Sequence, residues 1–581
     1  MAAANLEPTM RMDSPPLGLV ASMMACCAPF LLAYNLSPSP TFLNQALAIV
    51  LWGWFVAFVA LSRTAAPPTS TLRQTGLLLL ALALVGAAAM GSWLLGHLPR
   101  SLALSGAGLV AASMLMVVSG AAVRGGPTAT LGFALFCWGW VAAGALNSAL
   151  SFVQVFAPLL PDGDWIAHSG IPGRAVGNVR QPNHLSSLLL WSILATVALL
   201  ETGRLRRAWA ALLMAAAIFS VMLTASRTGL LSVVLLAVWG AIDRRLSRSG
   251  RGLLLISPVL YALGWVFMAW WSADGSHVFG GTARLGEADL SGSRFAIWAN
   301  TIELIRQQPL IGVGFGEFNF AWTLTPFPSR PIAFFDHSHN LPLQFAAEFG
   351  LPLAGLILAL LGWAFLKAWR TDADESAEDA MSQRCAWMVV AMIGLHSQLE
   401  YPLWYAYFLL PAAWAWGFAL GRRSDRVGRG YGLVMGGVLL ALAGGLSVLD
   451  YLRVVAIFEA PEHAPPLETR IAEGQRSLLF SHHADYAAVT TEGLADPGGR
   501  AFDGATHYLL DTRLITAWAE DLARQGHSDK ARYLAARLRE FRNPASKDFF
   551  DVCNDTHLTD GAPFQCQAPT QAINWRDFTR R

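Results

Sequence analysis

The sequence predicts an all-α polytopic membrane protein with about 13 transmembrane helices, a large loop outside the membrane and a helical C-terminal domain. Three observations lead to this fold class. The 581-residue chain is 54% hydrophobic and only 14% charged, whereas soluble globular proteins carry about 25% charged residues. Apolar runs of roughly 20 residues, enough to cross a hydrocarbon core of about 30 Å, recur through the first three quarters of the chain. The last quarter is polar and has a helical pattern.

The predicted transmembrane helices begin close to the N-terminus. The first apolar run, Leu17 to Asn35, is too long for the core of a signal peptide and has no clear small-residue cleavage site after it, so it is assigned as a span. The spans are centred near Ala25, Val50, Leu84, Val110, Ala142, Leu190, Leu212, Leu235, Leu260, Ile357, Val390, Ala412 and Leu439.

Arginine and lysine are concentrated in one set of connecting loops, which predicts that these loops are cytoplasmic. An odd number of spans then leaves the N-terminus in the cytoplasm and the C-terminal tail outside it. The residues that set this orientation are Arg63, Arg73, Arg124, Arg204, Arg206, Arg207, Arg244, Arg245, Arg248, Arg251, Lys367, Arg370, Arg384, Arg422, Arg423, Arg426 and Arg429.

Two predicted domains follow from this pattern. Residues 1–457 form a transmembrane core that includes a periplasmic loop at about 272–345, and residues 458–581 form a periplasmic helical tail. Within the loop, Ser293 is the predicted N-cap of a helix with Phe295, Trp298, Ile302 and Ile305 on one face. Gln308–Pro309 ends that helix, and Gly312, Gly314 and Gly316 form a flexible turn region.

The tail has the pattern of a helical-repeat unit. Ala505 to Gln525 and Ser528 to Phe541 predict two helices joined at Gly526, which resembles one TPR-like pair and is typical of a protein-binding surface. Cys553 and Cys566 lie in this polar region and could form a disulfide if the tail is outside the cytoplasm.

Ionisable and hydrogen-bonding residues collect on the predicted outer face. Charge at membrane depth is costly and tends to be functional. Asn340 is a predicted N-cap, so a helix N-terminus that attracts anions would point towards His339. Arginine grips phosphate oxygens through two donors, and histidine accepts a proton near neutral pH. The outer residues are Arg174, Arg180, Gln181, Asn183, His184, Arg227, Arg294, Asp336, His337, Ser338, His339, Asn340, Glu400, Tyr401, Trp404 and Tyr405.

Each of these residues also has a structural interpretation. Arg227 could be a boundary residue whose charge extends to the interface, Arg294 could simply begin a helix, and Tyr401 could belong to the interfacial aromatic belt. His337 and His339 could be polar loop residues. Their His-x-His spacing fits a metal, but no third ligand accompanies it, so the sequence predicts no metal site and no cofactor. The absence of a basic arm argues against nucleic acid as a partner.

Several motifs, in this order and topology, resemble the O-antigen ligase and O-oligosaccharyltransferase superfamily. They are Ser293–Trp298, Gly312–Gly316, His339–Asn340, Gln344, Glu348 and Gly350. Within that superfamily, Gln181-Pro182-Asn183-His184, the segment His396–Tyr405 and the long tail resemble the PglL-type branch that glycosylates pilins.

The resemblance implies a membrane-embedded, metal-independent glycosyltransferase of the GT-C type. Its donor would be a glycan on undecaprenyl pyrophosphate in the membrane, and its acceptor a Ser or Thr of an exported protein such as a type IV pilin. It implies that His339 is catalytic, that Arg227 and Arg294 bind pyrophosphate, and that either Tyr401 or Tyr405 is functional. The donor or acceptor site would also include Gln181, Arg180, His337, Asn340 and Glu400. A single displacement at the anomeric carbon predicts inversion.

Three alternatives remain at this stage. A lipopolysaccharide O-antigen ligase would use a lipid A–core acceptor, and a glycan polymerase would use a second lipid-linked glycan. A transporter would have repeated halves and polar residues near the middle of the membrane, whereas the polar residues of this chain lie at one boundary.

Overall fold

A computed structural model describes most of the chain and is helical almost throughout. The described residues are 15–62, 64–65, 68–282, 289–328, 330–370, 375–424, 428–491, 499–554 and 562–579. Within these ranges the β structure is a single antiparallel pairing of two-residue strands, Thr64–Ala65 with Gly428–Arg429. The all-α prediction is confirmed. Arg63, Arg426 and the N-terminus, which entered the orientation argument, lie outside the described residues.

Fifteen helices whose bounds lie within the described residues form the apolar core and the loop. They are α1 (Pro15–Leu31), α2 (Phe42–Ser62), α3 (Pro68–Leu94), α4 (Arg100–Gly125), α5 (Ala129–Phe156), α6 (Pro182–Glu201), α7 (Arg207–Leu223), α8 (Arg227–Ile242), α9 (Arg248–Trp271), α10 (Asp289–Gln307), α11 (Phe318–Leu324), α12 (Leu341–Trp369), α13 (Ala377–His396), α14 (Ala406–Leu420) and α15 (Tyr431–Phe458).

Eight of these helices are long and apolar enough to cross a membrane, namely α2, α3, α4, α5, α6, α9, α12 and α15. Helices α1, α7, α8 and α14 are apolar but shorter. Helix α13 begins with Glu378 and Asp379 in its first turn. Every predicted span centre falls within one of these helices or α13. The chain is therefore a multi-pass membrane protein by its helices, while the count of about 13 spans and their orientation remain predictions.

Helix α6 lies at the centre of the bundle. Its apolar window is 94% buried, against 22–67% for the other long apolar helices. A helix that is apolar on every side is normally buried in this way, and Trp191 of α6 packs edge-on against Trp140 of α5 at 4.8 Å. The N-terminus of α6, which carries the Gln181–His184 motif, is therefore held rigidly by the core.

Helix α10 in the large loop differs from its prediction. It begins at Asp289 rather than after Ser293, so the predicted N-cap is wrong because the helix extends another turn towards the N-terminus. It ends at Gln307, as predicted from Gln308–Pro309. The predicted apolar face is buried only in part, because Ile305 is 8% exposed whereas Phe295 is 65% and Ile302 40% exposed. The buried side also carries Ile297, Thr301 and Leu304.

The glycine-rich turn after α10 packs against a break in α12. Gly312, Gly314 and Gly316 all have positive φ, as does Gly350 within α12, a conformation that favours glycine. A Cβ at Gly350 would lie 2.4 Å from the backbone of Leu310. The break separates the first two turns of α12 from its apolar remainder and fixes them against the turn.

In the described parts of the tail there are six further α-helices. They are α16 (Leu467–Gly474), α17 (Ser481–Thr490), α18 (Arg500–Thr506), α19 (Thr512–Arg524), α20 (Ser528–Phe541) and α21 (Lys547–Asp551). The predicted helix pair corresponds to α19 and α20, joined at Gly526 with φ +83°. Its first helix begins at Thr512, not Ala505, because the Asp511 side chain caps it by accepting from the Leu514 amide at 2.9 Å.

The tail packs directly on the large loop. Phe320 and Leu324 of α11 share one apolar core with Leu514 and Leu534 of the tail. The Tyr533 hydroxyl donates to the carbonyl of Leu324 at 2.6 Å. At the end of the tail, Cys553 and Cys566 are joined by a disulfide.

Candidate active site

The Glu400 carboxylate joins residues from three distant parts of the chain. Glu400 follows α13 and is 8% exposed. Its Oε1 atom accepts hydrogen bonds from the Arg294 guanidinium and from Asn183 Nδ2, the latter at 3.0 Å. Its Oε2 atom lies 3.0 Å from His339 Nδ1. One carboxylate therefore holds the side chains of α10, α6 and the segment before α12 in a single cluster.

His339 is held in an unusual backbone conformation. Its φ is +55°, a region that non-glycine residues adopt only when the surrounding structure enforces it, and that is common at functional sites. The preceding residue is fixed from two sides, because the Ser338 amide donates to Gln344 Oε1 at 2.7 Å and the Ser338 carbonyl accepts from Trp298 Nε1 at 3.1 Å. With Nδ1 against Glu400, the Nε2 atom of His339 faces away from the carboxylate.

Asn340 is the N-cap of α12, as predicted. Its side-chain oxygen accepts from the Leu343 amide at 3.0 Å, and its Nδ2 donates to the Gln398 carbonyl at 3.1 Å. The Leu341 amide donates to the Ser397 carbonyl at 2.8 Å. These bonds tie the segment that carries His339 to the turn that leads into Glu400.

The electrostatics of the cluster keep Glu400 ionised. Burial alone would raise its pKa, but the hydrogen bond from His339 and the charges of His339 and Arg294 outweigh burial and lower the pKa to about 2. A carboxylate that stays ionised at neutral pH orients the imidazole and stabilises its protonated form.

Arg227 begins α8 and is connected to the cluster through its neighbours. Ser226 caps α8 by accepting from the Gly229 amide at 3.0 Å, and its hydroxyl donates to Asn183 Oδ1 at 2.6 Å. Asn183 thus bridges the start of α8 to Glu400. Among the described residues, none forms a hydrogen bond or ion pair with the Arg227 guanidinium.

Gln181 and Arg180 have other contacts. Gln181 Oε1 accepts from the amides of Asn183 and His184, at 2.5 and 3.1 Å, and so caps α6. Arg180 is exposed, has φ +55° and donates to the Gly163 carbonyl at 3.4 Å. Gln181 therefore fixes the backbone of Asn183. The described hydrogen bond of Arg180 connects it to Gly163 and not to Glu400.

The aromatic residues form two layers next to His339. Tyr401 lies between the histidines, with ring centroids 4.3 Å from His337 and 5.1 Å from His339. The ring of Tyr405 lies 4.6 Å from the ring of His184 and is farther from His339 than the ring of Tyr401 is. Burial is the main reason that the pKa of Tyr405 is raised to about 12 and that of Tyr401 still higher. Of the two tyrosines, Tyr401 is the one whose ring contacts His339.

Asp336 and His337 form a second carboxylate–imidazole pair, with Oδ1 and Nδ1 3.0 Å apart. Burial would raise the pKa of Asp336, but the charge and hydrogen bond of His337 lower it to about 2. The His337 ring also contacts Trp404 edge-on at 4.6 Å. No group of three His, Cys, Asp or Glu side chains suited to a metal occurs in the parts of the chain that the structure describes.

Sequence reasoning did not identify the bridging position of Asn183 or the central position of Glu400. Asn183 appeared only as one of several polar residues in an outer segment. The signal that could have singled it out is its position directly after Gln181-Pro182 at the start of a wholly apolar helix, where a buried amide needs partners.

Comparison with protein families matches three parts of the chain. Residues 209–359 match the family described as O-antigen ligase, residues 175–200 match protein glycosylation ligase, and residues 385–548 match the C-terminal part of virulence factor membrane-bound polymerase. The first of these matches includes Arg227, Arg294 and His339, and the second includes Asn183.

Two similar proteins from Acinetobacter baylyi are named as oligosaccharyltransferases. A general O-oligosaccharyltransferase is 26% identical over 302 residues, which cover 49% of this chain and 52% of the relative. A ComP-specific O-oligosaccharyltransferase is 26% identical over 279 residues, covering 47% of each. The chain thus spans about half the length of the curated relatives it matches. Taken with the family matches, this makes the chain similar to the O-antigen ligase superfamily and, within it, to the PglL-type protein glycosylation ligases.

Proposed function

We propose that this chain transfers a preassembled glycan from undecaprenyl pyrophosphate to Ser or Thr hydroxyls of an exported, pilin-like protein. The reaction inverts the anomeric carbon and requires no metal. The observation that carries the proposal is the Glu400 carboxylate shared by His339 and Arg294. Arg227, which has no hydrogen-bond or ion-pair partner among the described residues, is linked to this carboxylate through Ser226 and Asn183. Such a set provides both a base and cations for a leaving pyrophosphate.

In this mechanism His339 accepts the proton. Glu400 holds the Nδ1–H tautomer, so the Nε2 lone pair can take the proton of the acceptor hydroxyl as its oxygen bonds to the anomeric carbon. The bond from that carbon to the phosphate oxygen breaks, and its electron pair leaves with undecaprenyl pyrophosphate. Glu400 stabilises the resulting imidazolium, and Tyr401 packs against the ring.

The two arginines balance the charge of the leaving group. Arg227 has no protein partner within the described residues, and Arg294 uses one guanidinium nitrogen for Glu400 and keeps further donors. Positive charge that is fixed in place before the reaction stabilises charge that develops during it. Asn183, Gln181 and Asn340 hold the helix termini that carry these groups.

The proposal includes the topology and domains. The core, residues 1–457, lies in a bacterial inner membrane with the active site facing the periplasm, the N-terminus in the cytoplasm and the tail, residues 458–581, in the periplasm. In this location no nucleotide donor is available, and a lipid-linked glycan is already activated.

The test is transfer by purified protein in nanodiscs, with undecaprenyl-pyrophosphate glycan, a pilin acceptor and EDTA. We expect wild-type protein to glycosylate the pilin and His339→Ala to lose about 10²–10⁴ of the rate, because general base catalysis contributes that much. Unchanged transfer by His339→Ala would reject the assigned base, and loss of wild-type activity in EDTA would reject the metal-free mechanism.

The family matches favour a second candidate that differs only in the acceptor. Matches to O-antigen ligase and to a membrane-bound polymerase are compatible with lipid A–core or a second lipid-linked glycan as acceptor. Offering all three acceptors to the same preparation separates the possibilities. Transfer to lipid A–core but not to protein would make the chain a lipopolysaccharide ligase.

A further inference from the structure

Backbone strain is concentrated at the proposed active site. Among the described residues, five non-glycine residues have positive φ, and three of them are Arg180, Ala225 and His339. Ala225 has φ +47° and is 4% exposed. Its methyl side chain can form no hydrogen bond that would favour this conformation, so the surrounding structure must enforce it. Because Ala225 lies two residues before Arg227, the contacts that hold Ala225 also determine where Arg227 lies.

The turn between α7 and α8, residues 224–226, is held from within and from outside. Within it, the Ala225 amide donates to the Met222 carbonyl at 2.9 Å. From outside, Arg174 Nε donates to the Thr224 carbonyl at 2.8 Å. That carbonyl belongs to the peptide group that enters Ala225, and φ of Ala225 describes rotation about the bond between this group and Cα. A donor fixed on the Thr224 oxygen therefore holds the strained φ directly.

Arg174 is itself fixed by the large loop. Its side chain is in a buried residue, 6% exposed. The Gly280 amide of the loop donates to the Gly173 carbonyl at 3.0 Å, and the Ala175 amide donates to the Leu223 carbonyl of α7 at 3.0 Å. A Cβ at Gly280 would lie 2.3 Å from Arg174 Cγ, an approach that requires glycine. Arg174 is thus held between the large loop and the turn that precedes Arg227.

The same turn has a second anchor on its other side. The Ser226 hydroxyl donates to Asn183 Oδ1 at 2.6 Å, and Asn183 Nδ2 donates to Glu400 at 3.0 Å. Arg174 therefore holds the turn before Ala225 and Asn183 holds it after Ala225. Arg227 begins α8 directly after these two anchors. A shift of about 1 Å in a group that meets the substrate can cost up to about 10²-fold in rate.

We infer that Arg174 is a positioning residue for the lipid-linked donor, because it holds Arg227 where that guanidinium meets the pyrophosphate. Arg174 acts through Arg227, by its hydrogen bond to the Thr224 carbonyl. This inference rests on the proposed function for the role of Arg227 as a pyrophosphate ligand. The two residues should consequently be coupled, so that loss of Arg174 has little effect once Arg227 is gone.

The first experiment measures the affinity of the full chain in nanodiscs for farnesyl pyrophosphate, a soluble lipid pyrophosphate, without glycan or acceptor. We expect Arg227→Gln and Arg174→Gln each to weaken binding about tenfold. The double variant should bind no more weakly than Arg227→Gln alone. The matched control is Arg330→Gln, because Arg330 is also buried and donates to a backbone carbonyl, that of Trp322 at 3.1 Å. It should lower the melting temperature and leave the affinity unchanged.

The second experiment displaces Arg174 without changing it. Gly280→Ala places a Cβ against the Arg174 side chain and should also weaken binding about tenfold. Gly170→Ala is the control, since a Cβ at Gly170 would meet no atom within 4 Å, and it should bind as wild type. In transfer assays, Arg174→Gln should lower kcat/KM for the donor about tenfold and leave the acceptor KM constant.

The outcomes separate the inference from the proposed function. Wild-type affinity in Arg227→Gln would reject the proposed pyrophosphate ligand and the inference with it. If Arg227→Gln binds weakly, wild-type affinity in Arg174→Gln, or a further tenfold loss in the double variant, would overturn the inference alone. If Arg174→Gln and Gly280→Ala do not fold, hydrogen exchange in the unsubstituted chain decides. Farnesyl pyrophosphate must then slow exchange in residues 173–175 and 223–226, and protection confined to α8 would overturn the inference.

Discussion

Helix α13 has a carboxylate-centred ion cluster at each end, and the two clusters differ in how fully their cations are neutralised. At its start, Asp379 lies 3.2 Å from Arg124 and 3.2 Å from Arg423. Glu375 lies 2.7 Å from Arg124, whose side chain is fully buried. In these ion pairs two arginines meet two carboxylates, so the paired groups carry no net charge. Past its other end, the single carboxylate of Glu400 is shared by Arg294 and His339 and also accepts a hydrogen bond from Asn183.

The difference in charge balance between the two ends distinguishes a structural ion cluster from a binding site. Glu400 has Arg294 and His339 as partners. Arg227, which has none among the described residues, is linked to Glu400 through Ser226 and Asn183. A neutral buried cluster needs nothing from outside the protein, whereas one with excess positive charge is costly until an anion arrives. The comparison teaches that cations in excess of carboxylates, here proposed to bind pyrophosphate, distinguish the Glu400 end.

The largest expected effect on activity comes from replacing the central carboxylate of each cluster, Glu400 or Asp379, with its amide. Glu400→Gln should lower kcat by about 10²–10⁴, because it removes the group that orients the base. Asp379→Asn should instead lower the melting temperature and leave kcat per folded molecule unchanged. Transfer assays and thermal melts on both variants check this, and equal kcat losses would remove the distinction between the two ends.

Replacing an arginine at each end should also affect activity at the Glu400 end and stability at the Asp379 end. Arg227→Gln should reduce kcat/KM for the lipid-linked donor about 10²-fold or more, since it removes a preorganised charge, without lowering stability. Arg124→Gln should cost about 3–5 kcal/mol of unfolding free energy, because it leaves buried carboxylates unpaired. Donor-dependent kinetics and denaturant melts measure the pair. A destabilised Arg227→Gln would mean that Arg227 has a structural role instead.

The pH dependence of stability should also sharpen the comparison. The pKa of Glu400 is lowered from 4.5 to about 2 in the folded protein. Its contribution is therefore complete above the unfolded pKa of about 4.5 and is lost as pH falls towards 2, a loss of about 3 kcal/mol. Wild-type melting temperature should fall more steeply than that of Glu400→Gln over this acid range. Parallel curves would contradict the shift.

The smallest expected effect concerns Asn183. Asn183→Ala should lower kcat about tenfold, because loss of a buried hydrogen-bond bridge costs on the order of 1–3 kcal/mol, here between Glu400 and Ser226. The control is Asn44→Ala, since Asn44 is a fully buried amide that donates to the carbonyls of Pro29 and Leu32. It should affect stability only. Equal kcat values for both variants would remove the bridging role.

Much of the helical framework could be predicted because apolar runs report burial directly. The span centres all fall in helices, and Asn340 caps α12 as its local sequence indicates. The buried face of α10 was only partly predictable from periodicity, since Phe295 and Ile302 are apolar yet exposed. The position of Glu400 was also hidden, because a carboxylate that gathers partners from residues 183, 294 and 339 depends on tertiary packing, and no local pattern encodes contacts over such separations.

The core shared by α11 and the tail has a consequence for building chimaeras. Phe320 and Leu324 of the loop belong to the same apolar cluster as Leu514 and Leu534. A graft that exchanged only the residues after α15 between related enzymes would set one protein's α11 against another's tail. The natural module for transplantation is therefore discontinuous, and a working hybrid must carry residues 318–324 together with the tail that evolved beside them.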